Sequence, residues 1–155
     1  MEGQDNAGYS AEDVTGPPSE LERRRLATEK TLARYGGKVF DWSKGVTCVH
    51  LARAHLKNMG HKPETLPRFR SVLGAKKALK AHDWDSVGVM LDSMLVRIAP
   101  SQMMLGDLAI VPGDSGLDAI FVCAGPLKVF GWREDKPEMV LLDIDLNELT
   151  GAWRV

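Results

Sequence analysis

An excess of charge of either sign is the first thing this sequence lacks. Its 155 residues hold 20 Lys and Arg against 21 Asp and Glu, a formal net charge of -1. So even a balance gives no electrostatic basis for nucleic acid or anionic lipid as the main partner. Long apolar runs are missing too: none approaches the roughly 20 residues of a membrane span. The opening stretch MEGQDNAGYSAEDVTGPPSE is acidic and has no apolar segment, which argues against a secretory leader. Cysteine is scarce. Cys48 and Cys123 stand far apart and form no CxxC motif, so no zinc site is indicated and reduced thiols are expected. No internal repeat is present. What remains, 44% apolar and 26% charged residues, is the balance of one soluble globular domain with a real core.

Residues 1–18 are mostly Gly, Asp, Asn, Ser and Pro and read as a flexible arm ending at Pro17-Pro18. A single domain over 19–155 follows. Ser19 and Glu22 have capping-box spacing, and Gly36-Gly37 supplies the stop of a first helix. Leu21, Thr28, Leu32 and Tyr35 form its weak stripe, with Arg25 inside it. Arg23, Arg24 and Arg25 read as a solvated face balanced by Glu20, Glu22 and Glu29. A second helix runs from about Cys48 to Met59, with Thr47 as N-cap and Gly60 as stop. Val49, Ala52, Leu56 and Met59 make its apolar face. After a loop punctuated by Pro63 and Pro67, a third helix covers about Ser71 to Ala81. A fourth starts after an Asp83 cap and places Val87, Met90, Leu91, Met94 and Leu95 at helical spacing, a Met-rich face that fills core rather than holding a cofactor.

Beyond Pro100 the texture changes. GDLAIVPG, LDAIFVCAG, LKVFGW and EMVLLDID are short β-type runs divided by turn residues, and they predict an antiparallel meander of three or four strands. Trp153, near the end, is expected to plug the edge of the core. Helices first and strands second predict an α+β fold, with the helices against one antiparallel sheet.

Cys48 is the residue that raises a functional question. A thiol at a helix start meets free N–H groups and the helix dipole, which favour a thiolate and can stabilise an oxyanion. The same position suits a small core residue. The stretch FDWSKGVTCVHLARAHLKNMGH is similar to the nucleophile helix of NlpC-like cysteine peptidases, of the papain-like superfamily. There an aromatic-Gly-x-x-Asp-Cys stretch starts the helix, and a Gly-Asp segment, here Gly106-Asp107, enters the first strand of a small sheet. More closely, the chain resembles an NlpC-like family encoded among bacteriophage tail genes, which shares a C-terminal Ala-Trp-Arg-Val. The likeness spans residues 20–155.

Two departures stand out. Thr47 replaces the family's Asp before the cysteine, keeping a cap and losing a charge. The catalytic His that opens the next strand falls on Ala119, in AIFVCAG, and alanine accepts no proton. A thiol without a base stays mostly protonated at neutral pH. His50 faces elsewhere on the helix. His55 shares the face of Cys48, but about 10 Å further along the axis. His61 follows the helix stop, and His82 could approach only through tertiary folding. All four read as surface or helix-end histidines. Asp114, Asp118 and the acidic DIDLNE segment suggest paired carboxylates, though turn formation explains them equally.

The resemblance therefore implies a degenerate NlpC-like domain with Cys48 as a vestigial nucleophile. It implies no cofactor and no metal, and a structural role in a bacteriophage tail tip or baseplate. The expected partners are other tail or baseplate proteins, with peptidoglycan as a further ligand and no nucleic acid. The expected location is the virion tail, after synthesis in the bacterial cytoplasm. Two alternatives stay open: an active cysteine hydrolase acting on peptidoglycan, and a tail assembly factor absent from the virion.

Overall fold

A computed structural model describes residues 16–113 and 116–155. Most of the expected N-terminal arm, and Asp114, lie outside the described residues. Helix α1 spans Glu20–Tyr35, α2 Cys48–Asn58, α3 Val72–Lys80 and α4 Val87–Met94. Strands β1 Val96–Ile98, β2 Leu108–Val111, β3 Ala119–Gly125, β4 Lys128–Gly131, β5 Val140–Asp143 and β6 Gly151–Arg154 form one sheet in the order β1-β6-β2-β3-β4-β5. Every pairing is antiparallel. The expected α+β architecture is present.

The helix starts follow from local chemistry. Ser19, Thr47 and Ser71 have extended backbones, and each side-chain oxygen accepts an N–H of the first turn. The start of α4 differs from the expectation. Ser86, not Asp83, is its cap, accepting from the Val89 N–H. Asp83 lies in the turn after α3 with a φ of 61°, a left-handed conformation incompatible with the extended N-cap.

The buried stripe of α1 is also turned from the expected one. Arg24, Ala27, Thr28, Thr31 and Tyr35 face inward, while Leu21 is exposed. Arg23 and Arg25 lie on the solvated side as expected, but Arg24 does not. Two of the six strands escape the meander reading. β1 exists through β6, with Val96 opposite Arg154 and Ile98 opposite Ala152, and β6 pairs on its other side with β2. Such long-range pairing leaves little local signal.

Strand alternation splits the apolar residues between two faces. Leu108, Ile110, Ile120, Val122, Phe130 and Trp153 meet the helices in the main core. Ala109, Phe121, Val129 and Ala152 point the other way, where Ile144 and Leu149 cover them. Trp153 is fully buried, as expected, and its indole N–H donates to Asp92 Oδ1 at 2.8 Å. It sits in a strand held between β1 and β2, inside the core rather than at its edge.

Candidate functional site

The turn before α2 positions the cysteine. Asp41 caps a 3-10 turn over Trp42–Lys44 and pairs with Val46 across an isolated bridge. Gly45, left-handed at φ 70°, closes the turn and leads into Thr47. Thr47 is fully buried and caps α2, and Cys48 follows with its thiol turned toward the start of β3.

Cys48 Sγ lies 3.8 Å from the carbonyl oxygen of Asp118. It also faces the Ile120 N–H. These two residues bracket Ala119, so the fold does bring position 119 to the thiol. A cavity of about 280 Å³ opens beside them, lined by Phe40, Trp42, Cys48, Ala119 and Trp132, with Asp118 and Arg133 among its polar groups. Edge-to-face contacts fix its aromatic wall: Phe40 meets Trp42 at 5.3 Å and Trp132 at 5.6 Å between centroids. The Trp132 N–H is anchored on the Lys38 carbonyl.

The electrostatics oppose a thiolate. Burial pushes the Cys48 thiol above its ordinary pKa, and the Asp118 charge adds to the rise. The N–H groups of Ile120, Cys48 and Val49 act in the opposite sense and do not outweigh burial. No histidine lines the cavity. Such a pocket can hold a ligand by shape and apolar contact, but its thiol is in the protonated, weakly nucleophilic form.

The four histidines lie elsewhere. His50 Nδ1 bonds the Thr47 hydroxyl at 2.8 Å, and its ring packs on Phe69. His82 stacks on Trp84, bonds the Thr65 carbonyl and faces Glu64. His61 is partly exposed beyond the end of α2. His55 is the correction. It is fully buried, bonded at Nε2 to the Gly106 carbonyl and at Nδ1 to the Thr31 hydroxyl. Its partners lie on α1 and in the segment before β2, which a reading of α2 alone could not find. The acidic candidates also disperse. Asp118 lines the cavity, Asp143 pairs with Lys128, and Asp145 caps the 3-10 turn before β6.

A buried polar assembly around Asp107 is one the sequence reading missed. Asp107, fully buried, accepts from Arg24, Arg154 and the N–H groups of Met104 and Val155. Gly106 precedes it at φ 90°, a conformation suited to glycine, with its N–H on the Cys123 carbonyl. The Gly-Asp pair and the terminal Trp-Arg-Val are thus two halves of one structural clamp. Charge of opposite sign at Arg24, Asp107 and Arg154 was the available signal. Among the described residues no group of three or more His, Cys, Asp or Glu could hold a metal ion. No helix there is long and apolar enough to cross a membrane.

A family described as a domain of unknown function, DUF6950, matches residues 20–155. The chain belongs to this family. The curated proteins include no match. Among solved structures, the NlpC/p60 domain of the peptidoglycan hydrolase SagA superposes with a TM-score of 0.55 at 15% identity, covering 84% of this chain and 98% of that one. RipD of Mycobacterium tuberculosis, a non-catalytic NlpC/p60 domain protein adapted to a peptidoglycan-binding function, gives 0.54 at 17% identity, covering 85% and 97%. The peptidoglycan hydrolase RipB of the same organism gives 0.58 at 12%, covering 99% and 77%. The fold is therefore that of NlpC/p60 domains, shared by members that cut and by one that does not.

Proposed function

We propose that this chain is a non-catalytic NlpC/p60-fold domain that acts by binding, as a structural subunit of a bacteriophage tail tip or baseplate. The observation that carries the non-catalytic part is the environment of Cys48. Its thiol is buried, raised in pKa, and bracketed by a strand whose first residue is Ala119. Cys48 is then the vestige of a nucleophile, kept as a small residue at a helix start. Two features favour protein contacts as the remaining role. The edge strands β1 and β5 expose Val96 and Leu141, and uncovered apolar residues on sheet edges invite a neighbouring chain. The tail assignment itself rests on the resemblance of residues 20–155 to a tail-gene family, and the partners are other tail proteins. A second reading, peptidoglycan binding without cleavage, draws on the likeness to RipD and on the aromatic cavity.

The test combines the particle with the purified chain. Mass spectrometry of purified virions should find the chain in the tail, and phage carrying Cys48→Ala should plate like the parent. The purified chain should release no peptide from peptidoglycan. Release that depends on Cys48 would establish a hydrolase instead. A chain required for tails but missing from virions would establish an assembly factor.

A further inference from the structure

A second concavity lies beyond Trp42, between the first half of α2 and the loop leading to α3. Its volume is about 460 Å³, and it shares no lining residue with the Cys48 cavity. Its wall carries Lys44, Arg53, Arg68 and Arg70, together with His50 and Phe69, and no acidic residue. The acids nearest in sequence are occupied. Asp41 accepts from Ser43, and Glu64 faces His82. Arg68 and Arg70 are exposed and enter no ion pair among the described residues.

Arg53 makes this more than a solvated basic face. Its Nη1 is shut off from solvent and has no hydrogen-bond partner. A guanidinium normally meets its burial cost with a carboxylate or carbonyl acceptor, and among the described residues none bonds this nitrogen. His50 adds a polar ring to the wall. Its Nδ1 is hydrogen-bonded to the Thr47 hydroxyl, and its Nε2 lies toward Gly45 in the groove wall. The ring is steadied by Phe69 at 4.8 Å between centroids.

We infer that this groove binds a phosphoryl group, held by the Arg53, Arg68, Arg70 and Lys44 side chains that line it, with the His50 ring beside them. Three arginines that enter no ion pair among the described residues, with Lys44 near Asp41, complement a multiply charged oxyanion better than one carboxylate, which a single arginine satisfies. The volume leaves room for the body of a small molecule that carries the phosphate. This site goes beyond the proposed tail function and stands or falls separately from it.

Calorimetric titration of the full chain with inorganic pyrophosphate, at fixed ionic strength, tests it. Saturable one-to-one binding is expected. It should weaken by about tenfold or more in Arg53→Gln and in the Arg68→Gln/Arg70→Gln pair, the loss expected of charge-assisted hydrogen bonds. Lys128→Gln, which removes a cation on β4 paired with Asp143, should bind like the parent. Because the double variant changes only exposed residues, it decides the matter should Arg53→Gln fail to fold. Citrate should bind more weakly than pyrophosphate. Absence of saturable binding, equal binding by the groove variants and the parent, or citrate binding as tightly as pyrophosphate would overturn the inference.

Discussion

His55 links its protonation to folding. Burial holds its pKa down to about 4, from an ordinary 6.5, and both ring nitrogens are bonded in the neutral form. The unfolded chain therefore binds a proton at His55 that the folded chain refuses, and stability falls as pH drops from about 6.5 toward 4. At about 1.4 kcal/mol per pH unit the loss approaches about 3 kcal/mol. Urea titrations of the parent and His55→Gln should show that slope shrinking in the variant. An unchanged slope would place the linkage at His50 or His61, whose pKa values burial also lowers. Cys48 yields a second prediction. Iodoacetamide should label it slowly at pH 7 and faster only at alkaline pH, with mass spectrometry separating its label from that of Cys123, also buried and raised. Cys48→Ala should cost about 1 kcal/mol by loss of packing. Labelling that titrates below neutrality would reverse the reading of the thiol as inert. These residues mark the limit of a sequence reading. The position of Cys48 follows from a cap and a turn, both local, whereas burial of His55 depends on Thr31 and Gly106, which only the folded chain brings near.

At the level of elements, the ties between α1, β2 and β6 run through one buried carboxylate. Arg24, 3% exposed, bonds the fully buried Asp107 and the carbonyls of Leu105 and Val155, so a helix near one end of the sequence fixes a strand near the other. Removing one partner of a buried pair strands the other, typically at 3–5 kcal/mol. Arg24→Met should therefore destabilise the domain by about 3 kcal/mol, softened by the remaining Arg154 contact. Combining it with Asp107→Asn should cost less than the two changes added together. Strictly additive costs in urea unfolding would mean the pair is not coupled. The sequence makes the caps and middle strands legible because Ser19, Thr47, Ser71 and the Gly and Pro turns act over a few residues. It conceals α1's inward face, since an arginine in a basic run looks solvated until its acid, 83 positions away, is known. It conceals β1 and β6 for the same reason: β1 pairs only with β6, and β6 lies between β1 and β2, both distant in sequence.

On the scale of the whole molecule, the sheet is a partition with apolar cover on both sides. The helices fill one side with Leu51, Leu56 and Met90, packed on Trp153 of the sheet, and the segment around Ile144 and Leu149 closes the other over Phe121 and Ala109. Adjacent residues of β3 serve opposite sides, Ile120 toward the helices and Phe121 away from them. Neither layer can be lost without exposing the backbone and side chains that the other depends on. The chain should therefore unfold as one cooperative unit despite its two apolar clusters. Leu51→Ala, on the helix side, should cost about 2–5 kcal/mol as a fully buried truncation. Leu149→Ala, on the thinner side and slightly exposed, should fall at the low end of that range. Both should shift the same single transition by circular dichroism and tryptophan fluorescence, although Trp153 reports from the helix side alone. Two separate transitions in Leu149→Ala, with the helix signal retained through the first, would show that the outer layer melts independently and that the sheet does not couple its two faces.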